Sequence, residues 1–66
     1  MSNYIPPTEE AQAIREGRLA ELRKAVYERE LNVAVFTAKG ETARVNQEQA
    51  EIDDLKTAID ALVALG

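Results

Sequence analysis

The feature that most constrains this chain is that its 66 residues include no cysteine and no histidine. A domain of this length buries only about 60% of the surface that its unfolded chain exposes, so such domains commonly rely on a disulfide, a metal or a partner. Disulfides, thiolate sites and imidazole sites are all excluded here. Further stability must therefore come from good local structure or from a partner.

Composition and charge narrow the class of protein. Apolar residues make up 45% of the chain and charged residues 30%, which is typical of a globular domain. The sequence contains no apolar run of bilayer length and no basic and apolar leader at its start, so we expect neither a membrane partner nor secretion. The net charge of −4 disfavours nucleic-acid binding and leaves DNA contact at most incidental.

The first part of the chain is predicted to be an arm followed by a helix. Residues 1–7 form an extended arm, because Pro6-Pro7 favours polyproline II geometry. Thr8 is the predicted N-cap of a helix that continues to about Glu30. Gly17 costs about 1 kcal/mol relative to alanine inside a helix. Either one helix has a soft point at Gly17, or the part before it is separate.

Apolar residues at steps of three and four predict two amphipathic helices. The second helix, from Gln47 to Leu65, has the clearer pattern. The core residues expected on the two helices are Leu19, Leu22, Val26, Ile52, Leu55, Ile59 and Leu62.

The segment from Leu31 to Asn46 changes period and predicts a β-hairpin. Val33, Val35 or Phe36, and Val45 would join the core from two β-rich runs around Gly40, which would supply the positive φ of the turn. The predicted fold class is α+β: two helices flanking a short antiparallel β-hairpin (α-β-β-α), with an extended N-terminal arm. Residues 8–66 would form this single small domain.

No constellation of residues predicts chemistry. Asp53 and Asp54 are neighbours on a helix and point about 100° apart, so they form no catalytic dyad. No hydroxyl has a histidine to activate it, and Lys39-Gly40 lacks the other residues of a phosphate loop. The chain is therefore predicted not to be an enzyme, with no cofactor and no metal site.

The remaining candidates are surface residues that could contact a partner. They belong to the arm, to a basic first half and to the acidic start of the second helix. The alternatives are a frayed terminus, solvated helix faces, and a tyrosine that caps the core. The partner-contact candidates are Tyr4, Ile5, Pro6, Pro7, Arg15, Arg18, Arg23, Tyr27, Asp53 and Asp54.

Three stretches carry a family resemblance: Leu19-Ala-Glu-Leu22-Arg-Lys-Ala-Val26, then Val33 to Val45 around Gly40, then Ile52-Asp-Asp-Leu55-Lys-Thr-Ala-Ile59-Asp-Ala-Leu62. Together they resemble the phage head-completion (head–tail joining) family typified by protein W of phage lambda. The chain departs from it at Glu30-Leu31-Asn32, where the family often has a small residue, and in its long lead-in over residues 1–17.

The resemblance implies a head–tail connector subunit of the virion neck, assembled in the host cytoplasm. Such a subunit would form a ring with other copies of itself under the portal protein and would receive tail or stopper proteins. Two alternatives stay open on the sequence alone. One is a small antitoxin-like or inhibitor-like regulator that acts as a dimer; the other is a nucleic-acid-associated protein that uses Arg15, Arg18, Arg23 and Arg29.

Overall fold

The computed structural model describes residues 6–66, which form a helical hairpin. Helix α1 spans Thr8–Ala38 and helix α2 spans Thr42–Leu65, and a short turn joins them. The two helices pack against each other in a rod of 54 × 15 × 14 Å. The start of α1 and the end of α2 therefore lie at one end, which we call the open end, and Gly40 lies at the other.

The predicted β-hairpin, and with it the α-β-β-α fold class, is wrong. No strand occurs within residues 6–66, because residues 31–38 continue α1 and residues 42–46 begin α2. Val33 and Phe36 are partly buried whereas Val35 is 51% exposed, which is the burial pattern of a helix. The β-branched residues at 33, 35 and 37 suggested strands, but strand propensity depends strongly on context and helix packing overrides it here.

An unbroken 4-3 spacing explains why both helices form and pair. The residues that face the partner helix recur at alternating steps of four and three, as in the heptads of a coiled coil. We call these residues the seam. The seam consists of Arg15, Leu19, Leu22, Val26, Arg29, Val33 and Phe36 on α1, and of Val45, Glu48, Ile52, Leu55, Ile59 and Leu62 on α2; each is buried or partly buried.

The core is thin even along the seam. Within the described residues only Leu19 and Ile52 are buried, with 7% and 3% exposure. The predicted core residues are confirmed as the less exposed ones, and Phe36 rather than Val35 takes the position that the sequence left open. A two-layer hairpin leaves large parts of both helices without a neighbour, and this positions the surfaces discussed below.

Gly40 reverses the chain as the left-handed residue after α1. Its φ is +72°, as the sequence predicted, but it ends a helix instead of connecting strands. The Gly40 N–H donates to the Thr37 carbonyl at 3.0 Å, and the Glu41 N–H donates to the Phe36 carbonyl at 2.9 Å. These are the two hydrogen bonds of a Schellman motif, which satisfies the last carbonyls of α1.

The start of α1 differs slightly from the prediction. Pro7, not Thr8, is the N-cap: its carbonyl accepts the Ala11 N–H at 2.8 Å, and no side chain caps the helix. The helix then runs through Gly17 without interruption, so the interpretation as one continuous helix is the correct one. The predicted arm lies mostly outside the described residues, of which Pro6 and Pro7 are the first.

Candidate protein-interaction site

An apolar groove of about 700 Å³ runs between the two helices at the open end. It lies on the side of the seam where small residues, Ala11 on α1 and Ala58 and Ala61 on α2, leave space beside the interface. Its other apolar walls are Ile14, Leu22, Leu62 and Leu65. Ile14 and Leu65 are 60% and 74% exposed, so this apolar surface is open to a partner.

The groove continues to the first residues of α1. Pro6, which precedes the N-cap, and Ala11, the fourth helical residue, both line it. An apolar pair at these two positions matches the hydrophobic staple, which fixes the direction in which the chain enters a helix. Pro6 therefore belongs to the groove wall.

Two arginines border the apolar walls of the groove. The Arg15 guanidinium lies against the end of α2: a Cβ placed on Gly66 would be 3.1 Å from Arg15 Nη2. A cation at that place interacts favourably with the negative end of the α2 dipole. Arg18 is exposed and also lines the groove. The groove thus combines an apolar floor with a positive margin.

A charged pair lies among the apolar residues of the seam, closer to the turn. Arg29 Nη1 donates to both carboxylate oxygens of Glu48, each at 3.2 Å. The Glu48 side chain is 12% exposed and that of Arg29 is 42% exposed. Because each side chain satisfies the other, two charges are tolerated where apolar residues would otherwise stand.

The turn end has its own small cluster of charged and aromatic side chains. The Arg44 guanidinium carbon lies 5.3 Å from the centre of the Phe36 ring, within cation–π range. Arg44 Nε is also 3.9 Å from a carboxylate oxygen of Glu41. The depression here, of about 160 Å³, is lined by Thr37, Gly40, Glu41, Thr42 and Val45.

The structure gathers only some of the predicted contact residues. Pro6, Arg15 and Arg18 share the groove, whereas Tyr4 and Ile5 lie outside the described residues. Pro7 is the N-cap of α1 and lies beside the groove without lining it. The structure therefore brings one proline and two arginines of the prediction together.

The other predicted residues lie elsewhere on the hairpin. Arg23 and Tyr27 are exposed farther along α1 and do not line the groove. Asp53 and Asp54 are exposed in the middle of α2, since α2 begins at Thr42 and its first turn has no acidic residue. The prediction that they mark the start of the second helix is therefore wrong. Acidic residues interact favourably with the helix dipole in the first turn, and the first turn of α2 begins at Thr42.

The exposed apolar residues of the groove, Ile14, Ala58, Ala61 and Leu65, are absent from the residues predicted from the sequence. Ile14 follows Ala11 at a step of three, as a residue of an apolar helix face would, yet it is 60% exposed. Ala58 and Leu65 follow the seam residues Leu55 and Leu62 by three, and Ala61 follows Ala58 by three, so they widen the apolar face of α2 on one side. A helical wheel of α2 could have shown that wider apolar face. Only the register of the two helices shows that Ile14 of α1 lies across the groove from it.

Two kinds of site find no support in residues 6–66. No group of three or more carboxylates there is placed to hold a metal ion. Neither helix in this part of the chain has the length and apolar character needed to cross a membrane.

Comparison of the chain with protein-family models, with curated proteins and with solved structures gives no match.

Proposed function

We propose that this protein is a non-enzymatic interaction subunit whose groove binds an amphipathic helix with acidic residues along its margin. The observation that carries the proposal is the apolar groove of about 700 Å³, whose walls include Ile14, Leu62 and Leu65 and whose margin includes Arg15 and Arg18. Helix-in-groove binding uses apolar anchors spaced along one face of the bound helix.

The shape of the groove favours a helix as the occupant. The surface lies between two antiparallel helices, and a third helix can pack there with its side chains over the alanines at 11, 58 and 61. The walls extend from Pro6 to Leu22, which is about 24 Å at 1.5 Å per residue. About four turns of a partner helix would fit this length.

The charge at the margin favours acidic residues on the partner. Arg18 is exposed, and the ion pairs found among the described residues do not include it. A carboxylate on the partner helix could pair with Arg18, and because Arg18 lies at the exposed edge of the groove, the pairing would cost little desolvation. Such margin charges contribute more to orientation and association rate than to affinity.

The phage neck is a narrower setting for the same activity. A head-completion subunit would bind its own copies, a portal protein, and tail or stopper proteins. It is supported by the resemblance in the helical stretches Leu19–Val26 and Ile52–Leu62. The middle stretch, Val33 to Val45, no longer supports it, because that stretch forms no β-hairpin. Its test is whether purified portal particles bind the chain, and how many copies each particle holds by native mass spectrometry.

The groove proposal is tested with a defined probe. The probe is a fluorescein-labelled helical peptide with leucines at i, i+3, i+4 and i+7 and flanking glutamates, measured by fluorescence anisotropy. We expect saturable binding, weaker binding of the same peptide with flanking lysines, and weakening by salt. Ala61→Glu should reduce affinity about tenfold or more, because it places a charge on an apolar wall.

The matched control is Ala64→Glu, which adds the same charge one turn along α2 at an exposed alanine that does not line the groove. It should bind the probe like the parent protein. The proposal is wrong if the glutamate peptide does not bind, or if Ala61→Glu and Ala64→Glu bind it equally well while both remain helical by circular dichroism.

A further inference from the structure

Helix α1 has a second heptad-spaced stripe on the face turned away from α2. The stripe follows the same steps of four and three as the seam but is offset from it, and every member is exposed. We call it the outer stripe. Small residues form its two ends, namely Ala13, Gly17 and Ala20 toward the open end and Ala34 and Ala38 toward the turn. Lys24, Tyr27 and Leu31 form its centre.

Except at Lys24, the outer stripe is apolar where an ordinary surface helix is polar. Tyr27 and Leu31 are 61% and 48% exposed, and Ile14 and Val35, which flank the stripe on one side, are 60% and 51% exposed. Helix α2 does not share this property, because its corresponding face carries Asp53, Asp54 and Asp60. A helix that is apolar on two opposite faces is suited to a position between two neighbours, and the hairpin supplies only one.

We propose that a second copy of this chain covers the outer stripe, with the two α1 helices antiparallel in a two-fold symmetric dimer. The stripe is self-complementary when it is read in opposite directions. Pairing its ends places Ala13 opposite Ala38 and Gly17 opposite Ala34. The same register places Leu31 opposite Ala20, so that a large side chain meets a small one.

The polar residues also match in this register. Lys24 comes opposite Tyr27 of the second copy, where an ammonium group can lie over the aromatic ring. In antiparallel coiled coils, flanking residues on the same edge pair across the interface. On one edge this brings Arg23 beside Glu30 of the other copy, twice by symmetry. On the other edge Ile14 lies beside Val35 of the second copy, and Glu21 lies beside Glu28 of the second copy. The like charges of these two glutamates would repel each other, and Lys24, which lies between positions 21 and 28 on its own helix, reduces that repulsion.

Apart from Ile14, which borders both surfaces, the dimer uses a different surface from the groove, and it differs from a ring. A two-fold interface uses the same patch on both copies and closes at two subunits. The stripe from Ala13 to Ala38 is about 39 Å long at 1.5 Å per residue. The groove residues Ala58, Ala61 and Leu62 lie on α2 and stay accessible beside it.

Sedimentation equilibrium of the full chain tests association. We expect a mass of two chains for the parent protein. Ala34→Glu, in the outer stripe, should shift the protein to the monomer, whereas Ala50→Glu, at an exposed alanine on the outward face of α2, should leave the dimer intact. Arg23→Glu should weaken the dimer and Arg23→Glu with Glu30→Arg should restore it. Within one chain these two residues are two turns apart and do not pair.

Disulfide cross-linking tests the direction of the helices, and the absence of native cysteine makes it unambiguous. A mixture of Ala20→Cys and Leu31→Cys proteins should form mixed dimers on oxidation. Ala20→Cys alone should not, because antiparallel helices separate the two cysteines by about 16 Å along the axis.

The proposal is overturned by a monomeric or larger parent protein, by equal effects of Ala34→Glu and Ala50→Glu, or by efficient cross-linking of Ala20→Cys with itself. These outcomes are distinct from failure of the groove proposal, because Ala61→Glu should weaken probe binding about tenfold or more while leaving the dimer mass unchanged.

Discussion

Arg29 of α1 and Glu48 of α2 form an ion pair at 3.2 Å across the hairpin, with apolar seam residues on both sides of each. Removing one partner, as in Arg29→Ala, leaves the carboxylate of Glu48, which is 12% exposed, without its cation. We expect a loss of about 1–2 kcal/mol, below the cost at a fully buried pair because Arg29 is 42% exposed. Urea unfolding followed by circular dichroism measures it.

Replacing both residues of this pair should have the opposite outcome. Arg29→Leu with Glu48→Leu makes the seam apolar and removes two partly desolvated charges, so stability should equal or exceed that of the parent. The polar pair would then specify register rather than stability. A double variant less stable than Arg29→Ala would show that the pair itself holds the hairpin together.

The same pair explains how far the sequence predicted the fold. The apolar positions of both helices were found, and the residues between Leu31 and Asn46 were not recognised as helical. Arg29 and Glu48 interrupt the apolar spacing at the point where α1 and α2 approach the turn, so Val33, Phe36 and Val45 looked detached from the stripes. Only the packing of the two helices shows that charged residues continue the heptads.

The candidate site was less accessible to prediction than the fold. A groove exists only after two helices are placed in register. Neither Ile14 on α1 nor Leu65 on α2 indicates a groove when its own helix is considered alone. Arg15 and Arg18 could be found because charge is a property of one residue. Asp53 and Asp54 were misplaced because the start of α2 was expected five residues too late.

The thin core predicts a strong contrast between Ile52 and Leu65. Ile52→Ala removes atoms from a side chain that is 3% exposed and should cost about 2–4 kcal/mol, a large part of the stability of so small a domain. Leu65→Ala, at a residue that is 74% exposed, should cost less than about 0.5 kcal/mol. Thermal and urea unfolding should therefore rank the two variants far apart, and equal effects would contradict the described core.

Gly17 weakens α1 without a steric reason within the hairpin. A Cβ at this position would meet no atom within 4 Å, and the residue is exposed in the helix interior. Gly17→Ala should stabilise the protein by about 0.5–1 kcal/mol through helix propensity. The reverse change at an exposed alanine in the interior of α2, Ala50→Gly, should destabilise by a similar amount. A destabilising Gly17→Ala would indicate a contact that requires glycine there.

Gly40 should show the opposite response to the same substitution. A Cβ added to Gly40 would meet no atom within 4 Å, but the φ of +72° at this residue is unfavourable for other amino acids. Gly40→Ala should cost about 1–2 kcal/mol, and Gly40→Asn less, because asparagine tolerates the left-handed region better. Equal midpoints for Gly40→Ala and the parent in urea would mean that the turn adopts another conformation in solution.

The return of the chain at Gly40 also determines how the molecule responds to mechanical load. Force applied between the start of α1 and the end of α2 acts on adjacent points at the open end of the rod. The layers of the seam would separate one after another from Leu19 and Leu62 toward the turn, as a zipper opens, instead of shearing together. The Arg29–Glu48 pair lies more than halfway along this path, so an opening hairpin would meet it only after most of the apolar layers had parted.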